Sequence, residues 1–347
     1  MNFLWSILED RLGKNFDTNA GVARAVLEVS RSFTENRKPE LGKYLENEAF
    51  HSGYLAYFLP LNAAKTEKLL TDHLKNAANA PRRVLDFGCG PGTAAIAYLS
   101  WYAKQSLEDP VEITLVDHET HSLDAAQKLV RNVARKLGVE ASVHTLPEIA
   151  SDKAANHDLV LAVNVLNELS ANDRFFESLI AQEGTPRRKL LILEPSHRVA
   201  SQKLIRLRKR LIETKTSSFL KILGPCTHEK ECPLFRSSRD WCHFSDRIAD
   251  PRLVTMGRKI FKSSRDWMKY SYLFLEQTSS APVSKKNQDG ELYRAIGDLH
   301  PTRRGTYAID VCTPGKKIEW YYPKSIAPSK KLRLFRGALI RREPTRQ

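Results

Sequence analysis

Between Arg82 and Glu194 the chain alternates short apolar runs with stretches of helical spacing, and that alternation constrains the fold more than any other feature. Arg82–Phe87 reads as a strand that carries an acid near its end, and Thr93–Gln105 as a helix. Glu112–Asp117 is a second strand and Leu123–Leu137 a second helix. Ser142–Leu146, Asp158–Asn164 and Lys189–Glu194 supply three more strands, and Tyr270–Gln277 a later one. Strands that are apolar along their whole length are buried on both faces, which calls for a parallel sheet with helices on either side. The expected fold class is therefore α/β, a doubly wound, mostly parallel, Rossmann-like sheet over residues 79–198.

The flanks differ from this core. Residues 1–78 read as helical, through Asn15–Phe33 and Leu41–Ala77, with Gly53 and Pro60 as the main breakers. Residues 199–269 hold a basic amphipathic helix, Val199–Thr214, and a segment rich in Cys, Pro and His, Ser217–Arg247. Residues 270–347 hold the last sheet strand, a polar loop (Ser279–Gly290), and short strands at Thr306–Val311, Ile318–Tyr322 and Arg333–Leu339 in a basic extension. A seven-residue echo, Phe235–Trp241 and Phe261–Trp267, is too short to make a repeat protein.

Charge separates the halves. Residues 1–180 carry 19 Lys and Arg against 24 acids, and residues 181–347 carry 36 against 16. A basic excess confined to one half predicts a face that meets a polyanion, with nucleic acid ahead of a merely solvated surface. The cations Lys203, Arg206, Arg208, Lys209 and Arg210 crowd one helix. Lys324–Gln347 adds eight Lys and Arg against one acid. Trp241, Trp320, Tyr321 and Tyr322 are candidates for stacking on unpaired bases, and core packing is the competing role of each. No long apolar run predicts a membrane span. The early acids Glu9 and Asp10 argue against a signal or transit peptide.

Asp86-Phe-Gly-Cys-Gly-Pro-Gly-Thr93 sits between the first strand and the first helix of the alternating region. Glycines there let the backbone turn sharply and approach a ligand. A phosphate-binding P-loop needs a Lys after the last glycine, and none follows Gly92. A dinucleotide loop spaces its glycines more widely. With Asp86 before it, this loop resembles motif I of class I methyltransferases. That resemblance implies that Asp86, Gly88, Cys89, Gly90 and Gly92 border the amino-acid part of S-adenosylmethionine, and that Asp117 holds the ribose hydroxyls. Asn164, at the end of the fourth strand, is expected at the same edge. Asn167 and Glu168 either line the site or begin a helix there. No catalytic residue is assigned, because Asn164–Glu168 lacks the Asn/Asp-Pro-Pro-aromatic sequence of amine methyltransferases.

Cys226, Cys232, Cys242 and Cys312 form a second constellation, three of them within 17 residues. Disulfides are not expected in a reducing compartment, and metal binding is the leading reading. Structural zinc prefers a close pair of cysteines from one turn, which is missing here. Four thiolates on separate loops suit a [4Fe–4S] cluster, with Zn2+ as the alternative. His228 and His243 read as neighbours of the site rather than ligands.

Together, Asp86–Thr93, Leu193–Ser196, Gly224–His228 with Cys232–Leu234, Asp240–Phe244 and Ser271–Leu273 resemble the methyltransferase-like family associated with the mitochondrial small ribosomal subunit and its bacterial relatives. The resemblance implies a Rossmann-like methyltransferase sheet with a helical N-terminal region, an inserted Cys-rich metal segment and a basic β-rich C-terminal extension. It implies a [4Fe–4S] cluster on the four cysteines, and the small ribosomal subunit and its rRNA as partners. An S-adenosylmethionine-dependent enzyme stands first. A non-catalytic assembly factor that binds rRNA, or a zinc-containing methyltransferase with another acceptor, are the alternatives. The protein is expected to be monomeric off the ribosome, to avoid membranes, and to work in a bacterial cytoplasm or, alternatively, the mitochondrial matrix.

Overall fold

The computed structural model describes residues 2–34, 48–75, 79–170, 173–182, 187–213, 220–237, 239–278, 292–323 and 335–341. Helices α1 (Asn2–Leu12), α2 (Ala20–Thr34), α3 (Glu48–Gly53) and α4 (Leu59–His73) open the chain. A π-helical turn, Tyr54–Phe58, joins α3 to α4 and is bracketed by the two sequence breakers, Gly53 and Pro60. The alternating region follows as β1 (Arg83–Phe87), α5 (Thr93–Ala103), β2 (Val111–Val116), α6 (Thr120–Leu137), β3 (Ala141–Leu146), α7 (Ser151–Ala154), β4 (Leu159–Val163), α8 (Phe175–Ile180) and β5 (Arg188–Pro195). The remainder comprises α9 (Arg198–Glu213), β6 (Leu220–Gly224), β7 (Phe244–Arg247), α10 (Pro251–Phe261), β8 (Trp267–Gln277), β9 (Leu292–Ala295), β10 (His300–Pro301), β11 (Tyr307–Thr313), β12 (Lys316–Tyr322) and β13 (Leu339–Arg341).

The chain divides into two compact units. The first comprises Met1–Phe175, Leu190–Ile192 and Asp246–Met268. Its strands run in the order β3-β2-β1-β4-β5, and β2 pairs in parallel with β1 and β3, as β1 does with β4. Val84, Leu85, Ile113, Leu115 and Leu159–Ala162 are buried, as continuous apolar strands between helix layers must be. α5 is buried over nearly its whole length, which explains its lack of a polar face. α2 and α3 approach so closely that a Cβ on Gly53 would lie 2.6 Å from the Ala25 carbonyl carbon.

The second unit comprises Phe176–Lys189, Leu193–Ser245 and Lys269–Gln347. Here the ends of β5 continue the order as β5-β8-β6, with β7 on β8. β6 runs antiparallel to β8. A second, antiparallel sheet has the order β10-β11-β9-β13, with β12 on β11. Its core is Ala295, Ile309, Val311 and Ile340.

Several expectations shift. The segment Ser217–Arg247, for which no strand is expected, contains β6 and β7, and four- and five-residue strands are too short to show a period. α10 is also unanticipated, although Asp250-Pro251 is a helix-start signal: Asp250 accepts from the Arg252 and Leu253 amides. The strand expected at Arg333–Leu339 begins only at Leu339, since Arg336 and Gly337 form a turn and 333–334 lie outside the described residues. The polar loop Ser279–Gly290 and most of Lys324–Gln347 also lie outside them. The two copies of the seven-residue echo fold differently, one as turns and one as the end of α10 leading into β8. No helix among the described residues is long and apolar enough to cross a membrane.

Asp250 does more than cap α10. Its second oxygen accepts from the indole of buried Trp5 at 2.7 Å. Arg252 adds bonds to Glu9 and Asp17, both at 2.8 Å. Asp250→Ala removes the cap and leaves the Trp5 N–H without its acceptor. It is expected to cost about 2 kcal/mol in urea unfolding.

Candidate functional site

At the carboxyl end of β1 the chain enters the glycine loop. Gly88, Gly90 and Gly92 have φ of 66°, 48° and 84°. Gly88 is held by space as well as by conformation, since a Cβ there would sit 2.4 Å from Val165 Cγ2. A Cβ on Gly90 would meet nothing within 4 Å, so this glycine borders open space. Cys89 is buried, its amide donates to the Val116 carbonyl at 2.9 Å, and burial pushes its thiol far up. It is a packed filler with no reactive thiolate.

Two carboxylates flank the loop. Asp86 is 1% exposed and accepts from the Ala95 amide, in the first turn of α5, at 2.9 Å. Burial is the main force on this acid and the Asp117 charge adds to it. Amides of Ala95 and Ala94 oppose them, and the balance lifts its pKa to about 7. Asp117, just past β2, accepts from the Gly90 amide at 2.7 Å and the Glu119 amide at 3.0 Å. The second acid of the motif thus holds the glycine loop directly.

Asn164 follows β4 directly and is a non-glycine residue at φ 64°. Leu166–Glu168 form a turn, so the helix start weighed for Asn167 and Glu168 is not found there. Glu168 is exposed, and the surrounding protein, then the Asp117 charge, raise its pKa. Because solvent reaches Glu168, Asp86 is the group that dominates pH effects here.

The N-terminal helices supply neighbours that the motif does not reveal. The Tyr54 hydroxyl lies beside Thr93 and Asn62, and burial raises its pKa. Lys65 is buried, donates to Asn62 Oδ1 at 3.0 Å, and is lowered by burial to about 8. Thr93 Oγ1 is buried without a well-aligned hydrogen bond. The only sequence signal for this group was the spacing of Asn62 and Lys65 on one helical face.

The second unit brings the four cysteines together. Cys226 follows β6, Cys232 and Cys242 lie in the turns before β7, and Cys312 is buried on β11. None is in a disulfide. Burial first, then the charges of Cys226, Cys232 and Cys312, push the Cys242 thiol far up, and burial lifts Cys232 to about 11. Burial thus opposes ionisation of Cys232 and Cys242, and a cation beside them would favour it. Among the described residues no group of three or more His, Cys, Asp or Glu is arranged to hold a single metal ion.

Polar groups surround the thiols. His228 Nε2 lies 3.4 Å from Cys312 Sγ, and its Nδ1 is buried and unpaired. Burial, then Arg208, lower its pKa to about 4, so the ring is neutral. His243 stacks on Trp241. Both histidines neighbour the site, as expected. Buried Arg208 donates to Cys226 Sγ at 3.2 Å, and Arg294 donates to the Pro225 carbonyl at 2.8 Å. The register sets Cys312 opposite Arg294 across β11 and β9, a placement with no sequence signal.

The expected nucleic-acid groups need correction. α9 is not a free cationic face: Arg208 is buried, Arg210 is paired with Glu177, and Lys209 sits over the Phe235 ring at 4.5 Å. Lys203, Arg206, Lys209 and Arg210 recur at spacings of three and four and share one face of the helix, while Arg208 points away from it. Arg206 is the exposed one of the set. Among the aromatics, Trp241 donates to the Ser196 carbonyl at 2.7 Å and Trp320 packs edge-on against Tyr293. Tyr322 is half-buried on the β11–β12 sheet. Tyr321 is 63% exposed, and its hydroxyl donates to Glu319 at 2.7 Å.

Residues 51–323 match the sequence model of a family described as mitochondrial small ribosomal subunit Rsm22. No curated protein matches the chain. Similar solved structures include the magnesium protoporphyrin IX methyltransferase of Synechocystis PCC 6803, at 8% identity and TM-score 0.39, covering 73% of this chain and 97% of that one. The methyltransferase domain of a bacterial Hen1 protein is 12% identical with TM-score 0.36, covering 63% and 100%. The O-methyltransferase TomG of Streptomyces achromogenes is 12% identical with TM-score 0.31, covering 74% and 90%. The Rossmann-like methyltransferase sheet is defined by its strand order rather than by these distant likenesses.

A buried acid with a raised pKa favours the folded protein when protonated. Its contribution is full below the ordinary carboxylate range and is lost as pH rises through about 7. Asp86→Asn has no such loss. In urea titrations the variant should gain stability relative to wild type between pH 5 and pH 8. A pH-independent difference would contradict the assignment.

Proposed function

This chain belongs to the Rsm22 family, and from that membership we propose that it binds S-adenosylmethionine and acts on the small ribosomal subunit, by methylating its RNA, by assisting its assembly, or both. The observation that carries the reading is the pair of carboxylates, Asp86 and Asp117, across a glycine loop that opens on free space at Gly90. The cofactor offers a positive sulfonium, an ammonium group and two ribose hydroxyls. Asp117 keeps lone pairs beyond those taken by the Gly90 and Glu119 amides, which suits the hydroxyls. Gly88, Cys89, Gly90 and Gly92 contribute backbone, and Asn164 borders the same edge.

No residue is assigned to methyl transfer. The absence of an acceptor motif in Asn164–Glu168 favours, as the second reading, a non-catalytic factor that uses the pocket to bind and sense the cofactor.

Cys226, Cys232, Cys242 and Cys312 fit a [4Fe–4S] cluster, with Zn2+ the alternative. Four converging thiols, a neutral His228 and the nearby Arg208 suit a centre held by thiolates. Such a centre supplies a cross-link between separate loops and β11. Cys226→Ser and Cys312→Ser are each expected to lose metal and to lower the stability of the second unit. Full metal content in either would contradict a four-thiolate site.

Exposed Tyr321, with exposed Arg303 and Arg304 in the turn between β10 and β11, is the group best suited to meet rRNA. The protein is proposed to be a monomer off the ribosome, in the compartment where its small subunits mature, a bacterial cytoplasm or the mitochondrial matrix.

Calorimetry with S-adenosylmethionine tests the pocket. Asp117→Ala should weaken binding about 10–100-fold, as the loss of charge-assisted hydrogen bonds does. Binding of small-subunit rRNA should fall steeply with salt. Tyr321→Ala should cost about 1–3 kcal/mol of that affinity, in the range of one stacked base. Equal affinity for duplex DNA would overturn the RNA assignment.

A further inference from the structure

The sequence predicts a cationic face along α9, yet Arg208 turns inward and is 4% exposed. Its Nε–H donates to Cys226 Sγ at 3.2 Å. One terminal nitrogen donates to the His228 carbonyl at 2.8 Å and the Lys230 carbonyl at 3.0 Å. Among the described residues no carboxylate pairs with it. A guanidinium does not shed its proton on burial, and a buried charge without a counter-charge is strongly unfavourable. Among its hydrogen-bond partners in the described residues, the one that can become anionic is the Cys226 thiol.

Arg294 repeats the pattern from the other side. It donates to the Pro225 carbonyl at 2.8 Å and the Gly337 carbonyl at 2.7 Å, again with no carboxylate partner among the described residues. The charges close. Four thiolates around a doubly positive centre, either Zn2+ or an oxidised [4Fe–4S] cluster, leave two negative charges for two guanidiniums. The same arginine ties α9 to the turn that carries the first cysteine.

We propose that Arg208 is a positioning residue of the thiolate metal centre: it supplies counter-charge to the Cys226 thiolate and clamps the Cys226–Lys230 turn to α9. The inference rests on the reading of the four cysteines as metal ligands. On this reading the hold of Arg208 on α9 depends on metal loading.

The test uses the full chain with its metal as isolated, Arg208→Gln, Arg208→Lys, and Arg206→Gln as a control on the exposed face of the same helix. The readouts are the rate of metal release to a chelator and the melting temperature before and after stripping. Arg208→Gln should release metal about 10–100-fold faster than wild type, the range found for groups that support metal ligands. Arg208→Lys, which keeps the charge and loses the fork, should fall between them. Arg206→Gln should match wild type. The melting gap between wild type and Arg208→Gln should shrink once both are stripped, whereas a merely structural arginine would keep it.

Release at the wild-type rate from Arg208→Gln, or from Arg208→Lys should the glutamine variant not fold, would overturn the proposal. So would a melting gap that survives stripping. A wild-type protein that holds no metal would overturn the ligand reading itself, and this inference with it.

Discussion

Asp86 is buried at the carboxyl end of β1, where its carboxylate has only amides of the first turn of α5 to accept from. That contact fixes where the strand stops and where the helix begins, and the glycine loop is what the chain must do between the two. Asp117 then ties the loop's middle to the end of β2 through the Gly90 amide. Val165, past the end of β4, fills the space that any side chain on residue 88 would need. Three strand ends thus converge on one turn, and the parallel order of β2, β1 and β4 brings them to the same edge. A carboxylate held half-protonated near neutrality leaves that edge short of positive charge, which a cationic ligand would supply.

The second unit follows the same electrostatic rule with opposite signs. Beside its cysteines the buried charge is the Arg208 guanidinium, and the candidate anions are thiols. The cysteines come from a post-strand turn, two further turns and a sheet strand, so no local element holds them together. What surrounds them is Arg208 from a helix and Arg294 from the antiparallel sheet. The basic residues of this half therefore differ in placement. Arg208 lies inside, against Cys226, and others, such as Arg303 and Arg304 near Tyr321, lie at the surface.

The sheet was legible because strands buried on both faces are apolar throughout, and β1 to β5 and β8 fall close to the runs read from sequence. The cofactor edge was legible because a glycine loop with an acid on either side is a local pattern. Short strands such as β6 and β7 carry too few residues to declare a period, and α10 was masked by the aperiodic segment before it. The role of α9 was misread for a different reason. A run of cations looks alike whether it faces solvent or a buried thiol, and only the fold shows that Arg208 turns inward. Arg294 had no sequence signal at all, since the register of β9 on β11 is what sets it opposite Cys312.

The most direct measurement is the iron, sulfide and zinc content of protein purified without oxygen, with its visible absorption. The account predicts a brown protein with about four irons and about four sulfides per chain, as a thiolate-bound [4Fe–4S] centre requires. About one zinc and no colour would replace the cluster with a structural zinc site. A protein with neither metal would contradict the account, because buried Arg208 would then lie against Cys226 with no metal-bound thiolate to balance it.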